Sequence, residues 1–159
     1  MTIEEITAYV ESLDGVPALR PGPGDGSPEI SWGDLFFYYA PDGLVPRTQP
    51  FATVVTKNYP DDQTSRLDRP DTFRLNVSAG TNLFVELTGH RPGASAEREV
   101  DPSTPDTVFA HPVYGQLGWV AVVNPGPRTK TTVRELLRTS HDLARARHQR
   151  RVGSGPPSS

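Results

Sequence analysis

Residues 71–89, which read DTFRLNVSAGTNLFVELTG, contain the transition that decides the fold. In the first half, apolar and polar side chains alternate strictly, and Phe73, Leu75 and Val77 lie on one side of an extended chain. This two-residue period predicts a strand with one face in the core. In the second half, apolar residues recur at helical spacing, and Gly89 stands at the position of a left-handed C-terminal cap. The stretch therefore predicts a central strand that leads directly into a short helix.

Length and composition limit what this chain can be. Its 159 residues are enough for one domain with a real core. The hydrophobic content of 35% is low, because 17 prolines and 14 glycines are concentrated in connecting stretches. The absence of cysteine excludes disulfide bonds, thiolate metal sites and cysteine nucleophiles. No apolar run approaches the ~20 residues that cross a bilayer, and the N-terminus has no signal-peptide pattern. We therefore expect a cytoplasmic protein without a membrane partner.

The remaining elements follow from the same two periods. A capping box at residues 2–5 begins an amphipathic helix that ends before Gly15. The last strand region is apolar on both faces around Val120, which predicts a position inside the sheet. We expect one domain over residues 1–151, with a mobile loop at about 20–28 and a disordered tail at 152–159. The other predicted elements are strands at 32–39, 51–56 and 113–124 and a helix at 129–146.

Four separated segments carry a family resemblance. They are GDLFFYYAPDG (33–43), PFATVVTKNYP (50–60), LDRPDTFRLNV (67–77) and HPVYGQLGWVAVVNP (111–125). Together they resemble a domain family of unknown function common in actinobacteria. The Phe-Arg-Leu-Asn strand (73–76), the Trp-Val strand and the closing ELLRTSHDLA helix (135–144) are more distantly similar to the MmcQ/YjbR family. The resemblance implies an α+β fold, in which N- and C-terminal helices pack on an antiparallel sheet of four to five strands. It implies no activity, because neither family has an agreed catalytic residue.

The polar face of the central strand is a candidate ligand site. Arg74 and Asn76 point the same way, about 7 Å apart along the strand. An arginine beside an amide could hold a carboxylate or a phosphate. The alternative, which we favour, is a partly solvated face on which Arg74 pairs with Asp34 or Asp71. Three further residues could line an adjacent pocket, although buried aromatic rings more often belong to a core: His111, Tyr114 and Trp119.

The C-terminal helix is a second candidate surface. Residues 128–151 contain eight Lys or Arg against two carboxylates, a net +6, so the rest of the chain carries −9. A basic stripe of this kind could follow a phosphate backbone. Against that function, the acidic body would repel nucleic acid, and basic residues near a helix C-terminus also complement the helix dipole. The stripe consists of Arg134, Arg138, His141, Arg145 and His148.

Other catalytic chemistry finds little support in the sequence. No two histidines have the spacing of a metal-ligand pair, and there is no Gly-x-Ser-x-Gly nucleophile motif. Asp61 and Asp62 lie in a polar connection and are interpreted as solvated charges. The favoured hypothesis is a non-catalytic binding or interaction domain of YjbR-like fold that needs no cofactor and no metal. The alternatives are a nucleic-acid-binding protein that uses the basic helix and a small-anion-binding protein or enzyme that uses the Arg74/Asn76 face.

Overall fold

The computed structural model describes residues 1–96 and 99–153. Within these residues the chain forms an α+β domain in which three α-helices accompany an antiparallel sheet of six strands. The first strand has only two residues, so five longer strands make up most of the sheet. The elements are α1 (Ile3–Glu11), β1 (Ala18–Leu19), β2 (Leu35–Phe37), β3 (Ala52–Val55), β4 (Arg74–Ser78), α2 (Gly80–Thr88), β5 (Val108–Ala110), β6 (Trp119–Val123) and α3 (Lys130–Gly153).

The strand order is β1-β2-β3-β4-β6-β5. The first four strands form a meander in which each pairs antiparallel with the next. β6 then enters between β4 and β5 and pairs antiparallel with both. This confirms that the last strand lies inside the sheet. Because β4 and β5 are both antiparallel to β6, they run parallel to each other, and α2 makes the crossover that such strands need.

The helices begin and end where local chemistry dictates. Thr2 caps α1, because its hydroxyl accepts the amide N–H of Glu5 while the Glu5 side chain accepts the amide N–H of Thr2. Gly89 ends α2 with a φ of 81°, a left-handed conformation that glycine adopts without strain. Both ends agree with the sequence predictions.

All three helices cover one face of the sheet. Leu75 and Val77 of β4 are buried together with Ile6 of α1, Phe84 of α2 and Leu136 of α3. Strand alternation brings one set of side chains to this face and leaves the other set for the opposite face. Of the three β4 residues predicted to face the core, Leu75 and Val77 are buried and Phe73 is only partly buried. The observed core also includes Val10, Leu137, Val120 and Val122.

Part of the opposite face carries a second, smaller core. Leu67, from the connection between β3 and β4, packs there against Val55, Phe109 and Val123. The connection of residues 56–73 therefore folds back over this face near the β4 N-terminus. Within the described residues the rest of the face carries no α-helix, and it forms the floor of a cavity.

The structure differs from several of the predicted elements. The strand predicted at 113–124 is shorter, because a 3₁₀ turn at Gly115–Leu117 precedes β6 and places Leu117 on the surface. β5 was not predicted, since its three residues are too few to show a period. α3 continues to Gly153 rather than ending at residue 146, so the first two residues of the tail predicted at 152–159 are helical, and residues 154–159 lie outside the described residues.

Candidate functional site

A cavity of about 490 Å³ lies over the helix-free part of the sheet. Its floor is a row of neighbouring side chains on three strands, Phe36, Thr53 and Asn76, which the strand register places side by side. Arg74 occupies the next row toward the β4 N-terminus, opposite Val55. All five residues predicted for a ligand site line this cavity: Arg74, Asn76, His111, Tyr114 and Trp119.

Arg74 lies at the bottom of the cavity and is 1% exposed. Its Nε donates to Asn76 Oδ1 at 2.7 Å. Its Nη1 donates to Asp62 Oδ1 at 2.9 Å and to Ser65 Oγ at 3.0 Å. Its Nη2 donates to Asp62 Oδ2 and also lies 3.1 Å from His111 Nε2. All five guanidinium N–H groups therefore face protein atoms, and Asp62 neutralises the charge.

The partners predicted for Arg74 were wrong, and so was the interpretation of Asp62 as a solvated charge. Asp62 is 11% exposed at its side chain and forms the bidentate pair with Arg74. Asp34 is also buried, but its carboxylate accepts hydrogen bonds from other donors: Thr56, Lys57 and the Tyr59 hydroxyl. The reason is the connection after β3, which turns back over the sheet and places Asp62, not Asp34, above Arg74.

Opposing effects set the ionisation of these groups. Burial alone would raise the pKa of Asp62, but the hydrogen bonds and charge of Arg74 outweigh it and hold that pKa below its ordinary value. Burial, followed by the hydrogen bond to Asp34, raises the pKa of the Tyr59 hydroxyl. Asp62 is therefore a carboxylate and Tyr59 a neutral phenol at neutral pH.

The backbone assigns the tautomer of His111. The amide N–H groups of Val113 and Tyr114 both donate to His111 Nδ1 at 3.0 Å, so Nδ1 must carry the lone pair. Burial, and then the charge of Arg74, lower the pKa of His111 from 6.5 to about 3, so the ring is neutral. The single ring proton is thus on Nε2. That atom faces Arg74 Nη2, another donor, and lies 3.8 Å from Asp62 Oδ2, beyond hydrogen-bond distance.

Two more donors on the floor have unused hydrogens. Asn76 Nδ2 donates one hydrogen to Thr53 Oγ1 at 3.0 Å and has a second. The Thr53 hydroxyl accepts that bond and retains its own hydrogen. Neither of these hydrogens has a partner within residues 1–96 and 99–153. Together with the Nε2–H of His111, they give the floor three neutral donors for an oxygen atom.

Aromatic and apolar side chains form the walls and rim. The Tyr114 ring lies 5.0 Å from the His111 ring and 6.4 Å from the Trp119 ring, measured between centroids. Tyr114 is 48% exposed, and Ile30 and Leu117 on the rim are also exposed. Exposed apolar side chains around a concave polar floor are typical of a ligand site rather than of a solvated face.

The five residues of the predicted basic stripe do not share one environment. Arg134 and Arg138 are exposed on α3. His141 is buried at 3% exposure, and its Nε2 donates to the Asp14 carbonyl at 2.6 Å. Arg145 lies 3.5 Å from Asp142, and the His148 ring packs at 5.2 Å against Tyr39. The stripe is therefore interrupted at its middle by a core residue.

Two negative findings concern the described part of the chain alone. No group of three His, Asp or Glu side chains in it could hold a metal ion. None of its helices has the length and apolar character needed to cross a membrane.

The sequence missed the residues that complete the site. Thr53 and Phe36 could have been found, since they are the outward-facing residues of predicted strands. Asp62 and Ser65 gave no signal, because they lie in a polar connection without a period.

Fold and site together define an α+β domain with a half-open cavity on its helix-free sheet face. The chain belongs to the family of unknown function DUF6194, whose model matches residues 1–153. Comparison with the curated proteins found no match. Comparison with the solved structures found none either. Membership of a domain family of unknown function was expected from the sequence, whereas the similarity to the MmcQ/YjbR family stays a prediction.

Proposed function

We propose that this protein is a binding protein for a small, uncharged organic molecule that has an apolar or aromatic body and a carbonyl or amide oxygen. The observation that carries the proposal is that one cavity of about 490 Å³ with aromatic walls has three neutral donors on its floor that meet no acceptor among the described residues. Cavities of about 300–1,000 Å³ with mainly apolar walls and a few placed polar groups are the usual form of small-molecule sites. No catalytic step is part of the proposal.

The charge balance of the floor favours a neutral ligand over an anion. Arg74 is the cation of the floor, and Asp62 neutralises it within a bidentate pair. Asp61 adds an exposed carboxylate to the rim. Among the described lining residues, an incoming carboxylate would therefore meet no free positive charge, and Asp61 would repel it. The hypothesis that Arg74 and Asn76 grip a small anion thus becomes the weaker alternative.

The donors also argue for an oxygen acceptor. His111 Nε2–H and Arg74 Nη2 point toward one another without an acceptor between them. A ligand oxygen near these two groups would relieve the unfavourable contact between donors and satisfy a buried N–H, which is costly when unpaired. The aromatic rings of Tyr114 and Trp119 would then cover the body of the ligand.

Three probes of one shape test the proposal: benzamide, benzoate and benzamidine. We expect saturable NMR shifts with benzamide at the amides of Thr53, Asn76, Val113 and Tyr114. Benzoate and benzamidine should bind at least about tenfold more weakly, since one carries the wrong charge and the other has no acceptor. Equal affinity for all three, or shifts outside the cavity, would contradict the proposal.

A matched pair of variants tests whether His111 contributes to benzamide binding. In His111→Asn, the side-chain oxygen of the asparagine can still accept hydrogen bonds from the Val113 and Tyr114 amides, while the Nε2–H is lost. This variant should bind benzamide about tenfold less tightly. His90→Asn makes the same replacement outside the cavity and should keep wild-type affinity. The proposal is independent of MmcQ/YjbR kinship, of an actinobacterial source and of a cytoplasmic location, all of which stay predictions.

A further inference from the structure

A second cavity of about 290 Å³ lies at the end of the sheet, beneath the last turns of α3. Arg147 and Arg151 of α3 form one side of it. Ser78, at the C-terminal end of β4, and Thr48 and Gln49, in the segment before β3, form the other. This cavity was not predicted, because the three segments are remote from one another in the sequence.

Every polar side chain that the structure places around this second cavity can donate a hydrogen bond, and no carboxylate of the described residues lines it. Within residues 1–96 and 99–153, the side chains of Arg147, Arg151, Thr48, Gln49 and Ser78 form no hydrogen bond or ion pair. Arg145 on the same helix differs from them, because its guanidinium lies 3.5 Å from the Asp142 carboxylate. Two guanidinium groups that have no carboxylate partner in the described part of the chain therefore face one concave space.

The charge of Arg151 also disfavours the charge of Arg147. The two arginines are four residues apart on a helix, a spacing that places side chains on the same face. Partial burial of the otherwise exposed Arg147, followed by the charges of Arg150 and Arg151, lowers its pKa. The helix dipole explains why basic residues occur at this end of α3, but it does not explain a cavity with hydroxyl and amide groups opposite them. A bound anion would supply the missing negative charge.

We propose that this second cavity binds the phosphate group of a small organic phosphate. Guanidinium forks match the oxygens of a phosphate, and the hydroxyls of Thr48 and Ser78 can complete its hydrogen bonds. The rings of Tyr39 and Phe51 and the Pro50 side chain give the cavity an apolar side for the organic part of the ligand. The site does not depend on the neutral-ligand function proposed above.

The two cavities share a wall formed by Gln49, Pro50 and Trp119. Occupancy of the second cavity can therefore be followed at the Trp119 indole N–H, which forms no hydrogen bond within the described part of the chain. Thr53 and Val113 line only the first cavity and report on it separately. The same spectrum thus distinguishes the two sites.

The test is an NMR titration of the full chain with inorganic phosphate, phenyl phosphate and, as the uncharged counterpart, phenol. We expect saturable shifts at Ser78, Gln49 and the Trp119 indole with both phosphates and none with phenol. Affinity should fall as salt is added, because the cavity is open to solvent. The absence of saturable shifts at millimolar phosphate, or shifts centred on Thr53 and Val113, would overturn the proposal.

Two double variants of α3 separate a specific site from general attraction to a basic helix. Arg147→Gln with Arg151→Gln should weaken phenyl phosphate binding by at least about tenfold, since two charge-assisted contacts are lost. Arg134→Gln with Arg138→Gln removes the same charge from the same helix, outside the cavity, and should change affinity less than about twofold. All four side chains are exposed, so both variants should fold. Equal losses of affinity in the two double variants would show that phosphate is attracted by the basic helix in general and not bound by the cavity.

Discussion

At the scale of single residues, Arg74, Asp62 and His111 determine the character of the cavity. The ion pair is almost fully buried, with side-chain exposures of 2% for Arg74 and 11% for Asp62. Such a pair contributes little net stability, but removing one partner leaves an uncompensated charge. His111 adds a different constraint, because the Val113 and Tyr114 amides orient its ring and fix its tautomer. The floor is therefore rigid and neutral.

The neutral state of His111 predicts a dependence of stability on pH. Its folded pKa is about 3, against 6.5 for the free side chain, so below pH 6.5 the unfolded chain binds more protons. The contribution of neutral His111 to stability is full above pH 6.5 and is lost as the pH falls from there toward 3. The stability of the wild type should fall by up to about 1.4 kcal/mol per pH unit from this group alone.

Urea unfolding of the wild type and His111→Asn between about pH 7 and pH 5 checks this expectation, since most carboxylates stay ionised there. The stability difference between the two proteins should shift in favour of the variant as the pH is lowered. Parallel curves would show that His111 is not held neutral by the fold.

At the scale of elements, β4 and its junction with α2 connect the core to the cavity. One face of β4 gives Leu75 and Val77 to the core beneath the helices, and the other gives Arg74 and Asn76 to the cavity floor. Gly80 makes the junction possible, because its φ is +77° and a Cβ there would lie 2.9 Å from Leu143 Cδ1 of α3. Because one strand carries both sets of side chains, the packing of β4 in the core also fixes where Arg74 and Asn76 lie in the cavity.

Leu75→Ala should destabilise the protein by about 2–5 kcal/mol, since it leaves a cavity at a fully buried position between strands and helices. Leu44→Ala is the matched control, because Leu44 is 71% exposed, and it should change stability by less than about 0.5 kcal/mol. Chemical denaturation measures both. A loss below about 1 kcal/mol for Leu75→Ala would mean that β4 is not central to the core.

At the scale of the whole molecule, charge is divided between an acidic body and a basic helix. Residues 128–151 carry +6 and the remainder −9. Much of the basic set is already engaged within the fold, since His141 is buried and Arg145 lies near Asp142. Nucleic-acid binding by α3 therefore stays a prediction, and we favour small-molecule binding over it.

We expect no binding to duplex DNA tighter than ~100 μM at physiological salt, the weak limit of non-specific binders. The reasons are the repulsion by the acidic body and the interrupted stripe. Fluorescence anisotropy at two salt concentrations tests this, with Arg138→Glu and Arg145→Glu as the variant. Micromolar, salt-sensitive binding that the double variant loses would establish the nucleic-acid alternative instead.

The sequence by itself determined the elements that have a period of their own. Alternation revealed β4 and the polar pair on its outer face, and helical spacing with a capping box and Gly89 revealed α1 and α2. These signals are local, because each depends on residues only a few positions apart. The same alternation placed Arg74 and Asn76 on the face that proved to carry the cavity.

Only the tertiary structure decided which groups meet on that face. The partner of Arg74 is Asp62, from a connection without any period, and the tautomer of His111 depends on the amides of Val113 and Tyr114. β5 lies beside β6 although its three residues show no pattern. In each case the outcome depends on how a non-repetitive segment folds back onto the sheet. That path is set by packing between remote parts of the chain, which local spacing does not encode.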